Sequence, residues 1–313
     1  RNFMNKVWNA SRFVLMNKDF DLTADHLNPE KWQNLELPDR WILHRLNVTI
    51  SRVTKQLEDF SFDETARSLW DFIWNDFCDW YIEMIKMRLY DGTEAQKQAV
   101  MSVAIYVLRD IMKMLHPYAP FMSEEIWQQV KLVDEPDLIV APWPEVKEAF
   151  NAPAEAKETD FLKKVITAVR TVRSEMNVPP SQGIKLVGRV HSQTQLDILT
   201  KTSETIAKLT RCDDIKLGLD VEKPAFAASA MVEKMELFIP LEGLIDLDKE
   251  VERLEKEIAT TEGLLKSVQG KLANKNFVDR APEAVVAKEH DKLDHYAQSL
   301  NKLRAHLEAM KAL

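Results

Sequence analysis

Placed at 100° per residue, the first fifteen residues, RNFMNKVWNASRFVL, sort into two helical faces. Phe3, Met4, Val7, Trp8, Ala10, Ser11, Val14 and Leu15 form the predicted core face. Asn2, Asn5, Lys6, Asn9 and Arg12 crowd the other, with Phe13 among them. Residues 17–37 are polar and aperiodic, a connector with room for one turn of helix. Leu37-Pro38-Asp39 opens the next helix, since Pro is tolerated in a first turn. Its stripe of Trp41, Ile42, Leu46, Ile50, Val53 and Leu57 runs to about Phe60. Ser61 is the predicted N-cap of a long helix reaching about Tyr90, with Asp63 and Glu64 in its first turn. That helix carries an aromatic stripe, Trp70, Trp74, Phe77, Tyr81, Met84 and Ile85, with Trp80 at its edge. Gly92 marks a stop, and a further helix is predicted over Glu94–Leu115. HPYAPF (116–121) breaks the pattern, and Ser123 can cap a short helix, EEIWQQV.

The character changes after residue 130. Residues 131–157 mix proline, acid and tryptophan, the composition of a linker. A helix over about Glu158–Met176 precedes the strand-like IKLVGRV, and a helix over Gln193–Thr210 follows it. DDIKLGL, AFAASAMV and MELFIPL are further strand candidates. Beyond them, Leu247, Val251, Leu254, Ile258, Thr261, Leu265, Val268 and Leu272 step by four and three, a heptad seam. NKNFVDRAP (274–282) interrupts it, and the pattern resumes from Val286 to Met310. Two equal arms around one break predict an antiparallel hairpin, each arm ~40 Å long at 1.5 Å per residue. The expected fold is mainly α, in three parts. An antiparallel helix bundle occupies 1–150, a small α/β domain 151–243, and a long antiparallel two-helix coiled-coil hairpin 244–313.

Composition narrows the function classes. The 313 residues are 45% hydrophobic, enough for sizeable cores, and only seven are glycine. A net charge of −8 excludes indiscriminate coating of nucleic acid. It leaves room for local basic sites, because charges act over a Debye length of ~8 Å. Cys78 and Cys212 stand alone, so neither a disulfide framework nor a zinc site is indicated, and a reducing setting is expected. No signal peptide is expected, and no apolar run of ~18 residues occurs. The opening at Arg, already inside a helical pattern, suggests a piece of something longer. GxGxxG and P-loop phosphate cradles, a GxSxG elbow, an HExxH pair and a Cys/His cluster are all missing. Thus no catalytic residue is expected, and His116, between a helix end and a proline, is read as structural.

The candidate chemistry is recognition. Asparagine is a poor interior helix former, so three on one face ask for a reason. Side-chain amides carry donor and acceptor in one plane, suited to base edges, and an exposed ring can stack on an unpaired base. Alternatively the helix is buried on both sides, its asparagines bonding neighbouring elements. Arg170 and Arg173, one turn apart, are either phosphate contacts or a solvated face. Near the hairpin tip Lys266, Lys271, Lys275 and Arg280 outnumber Asp279, whereas the base is acidic. A polyanion contact and a dimerisation hairpin both fit that distribution. A non-enzymatic, protein-binding scaffold of helices is the alternative to a nucleic-acid module.

RNFMNKVWNASRF, FDETARSLWDFIWNDFCDWYIEMIK, MLHPYAPFMSEEIWQQV and APWPEV, in that order, together with the terminal hairpin, closely resemble the C-terminal part of the bacterial valyl-tRNA synthetase family. The resemblance covers nearly the whole chain. Isoleucyl and leucyl relatives share the bundle but lack the terminal hairpin. It implies a class Ia ligase that charges tRNA(Val) with valine, using ATP and Mg²⁺, and hydrolyses mischarged threonine. The catalytic and editing domains would lie upstream of Arg1, so this portion is expected to be inactive alone and to hold no cofactor or metal. Cytoplasmic location, a monomeric state and no membrane contact are further expectations. Carried over by position, Asn5, Asn9, Arg12 and Phe13 become candidates for reading unstacked anticodon bases. Trp80 falls where related synthetases place an aromatic against the anticodon loop, and Lys86 is placed to take a phosphate. Lys271, Lys275 and Arg280 are candidates for the tRNA elbow. The valine anticodon has adenine in the middle and cytosine third, whose edges amides and arginine can read for roughly 1–3 kcal/mol of discrimination each.

Overall fold

The computed structural model describes residues 1–244, 247–274 and 283–311. They form two compact units, Arg1–Lys163 and Lys164–Leu313. The first is the expected helix bundle: α1 (Asn2–Met16), α2 (Leu37–Glu58), α3 (Phe62–Trp70), α4 (Ile82–Asp91), α5 (Glu94–Leu115) and α6 (Pro120–Val130). α3 and α4 are joined without a break by a π-helical stretch, Asp71–Tyr81. Local chemistry sets the boundaries. Pro38 sits in the first turn of α2, where Glu36 and Asp39 form a capping box. Thr93 and Gln96 form another at α5. Between α4 and α5, a Cβ on Gly92 would lie 2.3 Å from the Arg88 carbonyl oxygen, so the chain can turn there only without a side chain.

The π-helical stretch alters which residues face inward. Leu69, Ile73, Phe77, Tyr81, Ile85 and Leu89 are all buried, at a constant spacing of four. On a pure α-helix each four-residue step drifts by about 40°, so five steps would carry the row about 200° round to solvent. The wider turns of the π stretch hold it in line. Hence Trp70, expected in the stripe, is exposed and stacks on half-buried Trp74 at 5.3 Å, while Phe72 and Ile73 take the inner positions.

The segment read as a linker is strapped onto the bundle instead. The Asn47 amide donates to the Lys147 carbonyl at 2.6 Å and accepts from its N–H at 3.0 Å. Trp143 Nε1 donates to Thr54 Oγ1, and Phe150 is buried with its ring parallel to Trp32. Single aromatics without periodicity leave no pattern from which this packing could be read. Ser123 does not cap a helix either. α6 begins earlier, at Pro120, and buried Ser123 donates to the Ala119 carbonyl and bonds His116 Nδ1 at 2.9 Å, a structural role for both.

The second unit contains the expected small α/β fold. α7 (Pro153–Glu175) leads into it, starting five residues before the predicted helix. β1 (Ile184–Arg189), α8 (Gln193–Lys201), α9 (Ser203–Thr210), β2 (Cys212–Gly218), β3 (Ala227–Val232) and β4 (Met235–Pro240) follow. The sheet order is β2-β1-β4-β3, with β1 parallel to β2 and the other neighbours antiparallel. The single helix predicted over Gln193–Thr210 breaks at Thr202, whose hydroxyl turns back onto the Ile198 carbonyl. Arg173 is neither a phosphate contact nor solvated. It is buried and donates to the carbonyls of Thr210, Arg211, Pro179 and Gln182, while Arg170 Nε donates to Leu209.

α10 (Leu247–Ala273) and α11 (Glu283–Lys311) pack on each other. On α10, Val251, Leu254, Ile258, Thr261, Leu265, Val268 and Leu272 are the seam positions, and none is exposed. Arg304 pairs with Glu262 at 2.7 Å and Lys311 with Glu255 at 2.9 Å.

Candidate nucleic-acid interface

α1 lies against the π stretch, α5 and α6. Val7, Ala10, Ser11 and Val14 are its buried seam. Ser11 satisfies its hydroxyl locally, donating to the Val7 carbonyl at 2.9 Å. Opposite the seam, Asn2, Asn5, Asn9 and Arg12 are exposed. Among the described residues, the side chains of Asn5, Asn9 and Arg12 make no hydrogen bond or ion pair. The amide face is therefore open, and the alternative of a helix sealed on both sides does not hold.

Phe13 stands differently. It is half-buried at the edge of the bundle core, with Lys86 Nζ 5.7 Å from its ring centroid. Lys86 in turn pairs with Glu83 at 2.6 Å. The structure thus brings Asn5, Asn9 and Arg12 into one strip, with Phe13 and Lys86 along its border. Trp80 is half-buried as well, and Lys163 Nζ lies 5.4 Å from its ring centroid. The same ammonium sits 4.8 Å from the Trp41 ring and pairs with buried Asp76, which also accepts from Arg45 Nε at 2.7 Å. These contacts tie Trp80 to α2 and α7.

Two residues of α1 escaped the sequence reading. Trp8, assigned to the core, is 44% exposed beside the strip. Its spacing of three from Asn5 and four from Arg12 was the available signal. Lys6 makes an ion pair with Asp79 and lies 4.0 Å from the Trp74 ring centroid. Behind them, burial pushes the Cys78 thiol up to about 12, Lys6 opposing the shift and Asp79 adding to it.

Of the arm candidates, Lys271 is exposed and faces Glu289 at 3.7 Å. Glu289 also bonds Lys292 at 2.6 Å, and chiefly for that reason its carboxyl titrates below its ordinary value. Lys275 and Arg280 lie outside the described residues. No three His, Cys, Asp or Glu side chains come together as a metal-ligand group among the described residues. No helix among them is long and apolar enough to cross a membrane.

Comparison with known proteins gives this geometry a class. Residues 39–187 match the family described as the anticodon-binding domain of tRNA ligase. The class is that of the aminoacyl-tRNA synthetases. Residues 246–311 match the valyl tRNA synthetase tRNA binding arm. Valine–tRNA ligase of Enterococcus faecalis is 41% identical over 313 residues, covering 100% of this chain and 35% of that protein. The Oceanobacillus iheyensis ligase is 41% identical over 316 residues, 99% of this chain and 35% of its own length. That of Listeria monocytogenes is 43% identical over 307 residues, 96% of this chain and 34% of its own. The chain belongs to the valyl-tRNA synthetase family and corresponds to the C-terminal part of these relatives. It spans about a third of the length of the curated relatives it matches.

Proposed function

We propose that this chain is the tRNA-binding portion of a valine–tRNA ligase. The bundle, about residues 1–150, reads the tRNA(Val) anticodon, with Asn5, Asn9 and Arg12 meeting base edges and Phe13 offering a ring. Lys86 takes a backbone phosphate, and Trp80 lies at the margin of the same surface. Residues 151–243 connect the bundle to an antiparallel coiled-coil arm, 244–313, which meets the tRNA elbow through Lys271, Lys275 and Arg280, chiefly by phosphate contact. The two ion pairs between α10 and α11 support that arm. Arg304 and Lys311 are seven residues apart, as are their partners Glu262 and Glu255, in the opposite direction. Valine activation with ATP and Mg²⁺, and removal of mischarged threonine, belong to the part of the full-length enzyme outside this chain. The enzyme is a cytoplasmic monomer.

The open amide strip on α1 carries the reading. Binding of the chain to tRNA(Val), and to the same tRNA with a scrambled anticodon, is measured across a salt series. The expected result is a preference for the natural anticodon and an affinity that falls steeply with salt for both. Equal affinity for the two RNAs sinks the anticodon assignment. Arg12→Ala and Phe13→Ala should lower the preference. Deleting residues 264–284 should lower affinity and leave the preference intact.

A further inference from the structure

Phe3, Phe13 and Leu15 are half-buried at the edges of the seam that seats α1, and its fully buried part consists of small side chains, Val7, Ala10, Ser11 and Val14. Such short ridges resist a roll of the helix about its own axis weakly. Roll matters here, because an offset of one residue swings the outward strip by 100°. Two contacts along one edge of α1 oppose it. Lys6 meets the Asp79 carboxylate and lies 4.0 Å from the Trp74 ring centroid, and Trp74 is stacked on Trp70. Seven residues on, Lys86 Nζ stands 5.7 Å from the Phe13 ring centroid. Both contacts join residues 73 apart in the chain, so α1 runs alongside the 79–86 stretch in the same direction and in register.

We infer that Asp79 and Trp74 are positioning residues for anticodon reading: they hold Lys6, and through it fix the roll that turns Asn5, Asn9 and Arg12 outward. The inference rests on the proposed function above. With a carboxylate on one side and an indole face on the other, Lys6 acts as a tether for α1.

Asp79→Asn in the full chain tests it, because position and proximity act with opposite signs. A carboxylate that merely stood near bound RNA would repel phosphate, so its removal would tighten binding to natural and scrambled anticodons alike. As a tether, its removal should cut the preference for the natural anticodon about tenfold while affinity for the scrambled tRNA holds. Backbone amide exchange along α1 should rise about tenfold over that of α5 as the seat loosens. Asp79→Glu should recover part of both. Tighter binding to both RNAs, an unchanged preference, or unchanged α1 exchange overturns the inference. Should the unmutated chain show no preference at all, the anticodon assignment falls, and the exchange measurement alone decides the tether.

Discussion

Arg88 and Asp39 meet as a buried two-pronged ion pair across 49 residues of chain, Nη1 donating to Oδ2 at 2.6 Å and Nη2 to Oδ1 at 2.8 Å. The same carboxylate accepts from the Tyr81 hydroxyl at 3.1 Å and from the Glu36 backbone N–H at 3.0 Å. Burial, with the Asp39 charge second, pushes the Tyr81 hydroxyl well above its ordinary value. One carboxylate therefore caps α2 and ties it to α4 and to the π stretch, on which α1 rests. Asp39→Ala would leave the buried guanidinium with only the exposed Glu36 carboxylate, 3.5 Å from Arg88 Nε, as counter-charge, at a cost of about 3 kcal/mol. Replacing the pair together, Asp39→Leu with Arg88→Met, should cost less than Asp39→Ala alone, because no buried charge remains and the exposed Glu36 carboxylate is solvated. Urea unfolding of the two variants checks the order. A double variant less stable than the single one refutes it.

Phe60 ends α2 in the left-handed region, φ 57°, with its ring 78% exposed. The Ser61 N–H bonds the Gln56 carbonyl at 2.8 Å, the backbone closure in which glycine usually occupies the Phe60 position. A side chain there strains the backbone, and this ring buries little in return. Phe60→Gly should raise stability by about 0.5–1 kcal/mol, read as a higher thermal midpoint. A lower midpoint would mean that the contact of Phe60 with Phe62, 6.2 Å between centroids, outweighs the strain.

Long periodic stretches were legible because burial on a helix follows one angle. The α1 seam of Val7, Ala10 and Val14, the α5 core and the α10 seam all fall where the period places them. The reading slipped where a residue's place depends on something other than that angle. Trp70 and Phe72 exchange places because the π stretch changes the turn. Trp143 and Phe150 pack on residues far back in the chain, Thr54 and Trp32. Arg173, which at its spacing from Arg170 looks like a surface cation, is drawn inward by four carbonyls supplied by loops and a helix end. At the site, the strip of Asn5, Asn9 and Arg12 was visible as an excess of amides. The tether was not, because Lys6 reads as one more cation until Asp79 and Trp74 are folded against it.

Cys78 makes the first unit sensitive to alkali. Its thiol ordinarily titrates near 9, and burial raises it to about 12 in the folded chain. Between those values the unfolded chain has released the proton and the folded one has kept it, so stability falls as pH rises through that window. Below pH 9 the contribution is fully present. Other groups also titrate at high pH, so the stability difference between the natural chain and Cys78→Ala isolates this one. That difference should shrink between about pH 9 and pH 12, by no more than about 1.4 kcal/mol per unit. A difference that is flat with pH would show that the thiol ionises as readily in the folded chain as in the unfolded one.

Arg173 offers a test of the second unit by itself. Its guanidinium spans four acceptors: Thr210 at 3.0 Å and Arg211 at 3.4 Å from Nη1, Pro179 at 2.9 Å and Gln182 at 2.8 Å from Nη2. Arg211 is itself left-handed at the end of α9, with its N–H on the Ala207 carbonyl and its own carbonyl accepting from the Ile184 N–H, and the guanidinium adds a further donor to that turn. Removing it takes a donor from four carbonyls, that of Thr210 buried and the others partly so, and Arg173→Ala should cost this unit about 1–3 kcal/mol. Arg173→Lys should recover only part, because a compact ammonium cannot reproduce a planar fork with donors on two sides. All eight tryptophans lie between Trp8 and Trp143, within the first unit, so their fluorescence reports that unit alone. Heating Arg173→Ala should therefore give an early loss of helical circular dichroism while the tryptophan transition stays in place. In native conditions Arg173→Ala should bind tRNA as the natural chain does, whereas Arg12→Ala should not. A tryptophan transition that moves down together with the dichroism would show that the two units unfold as one.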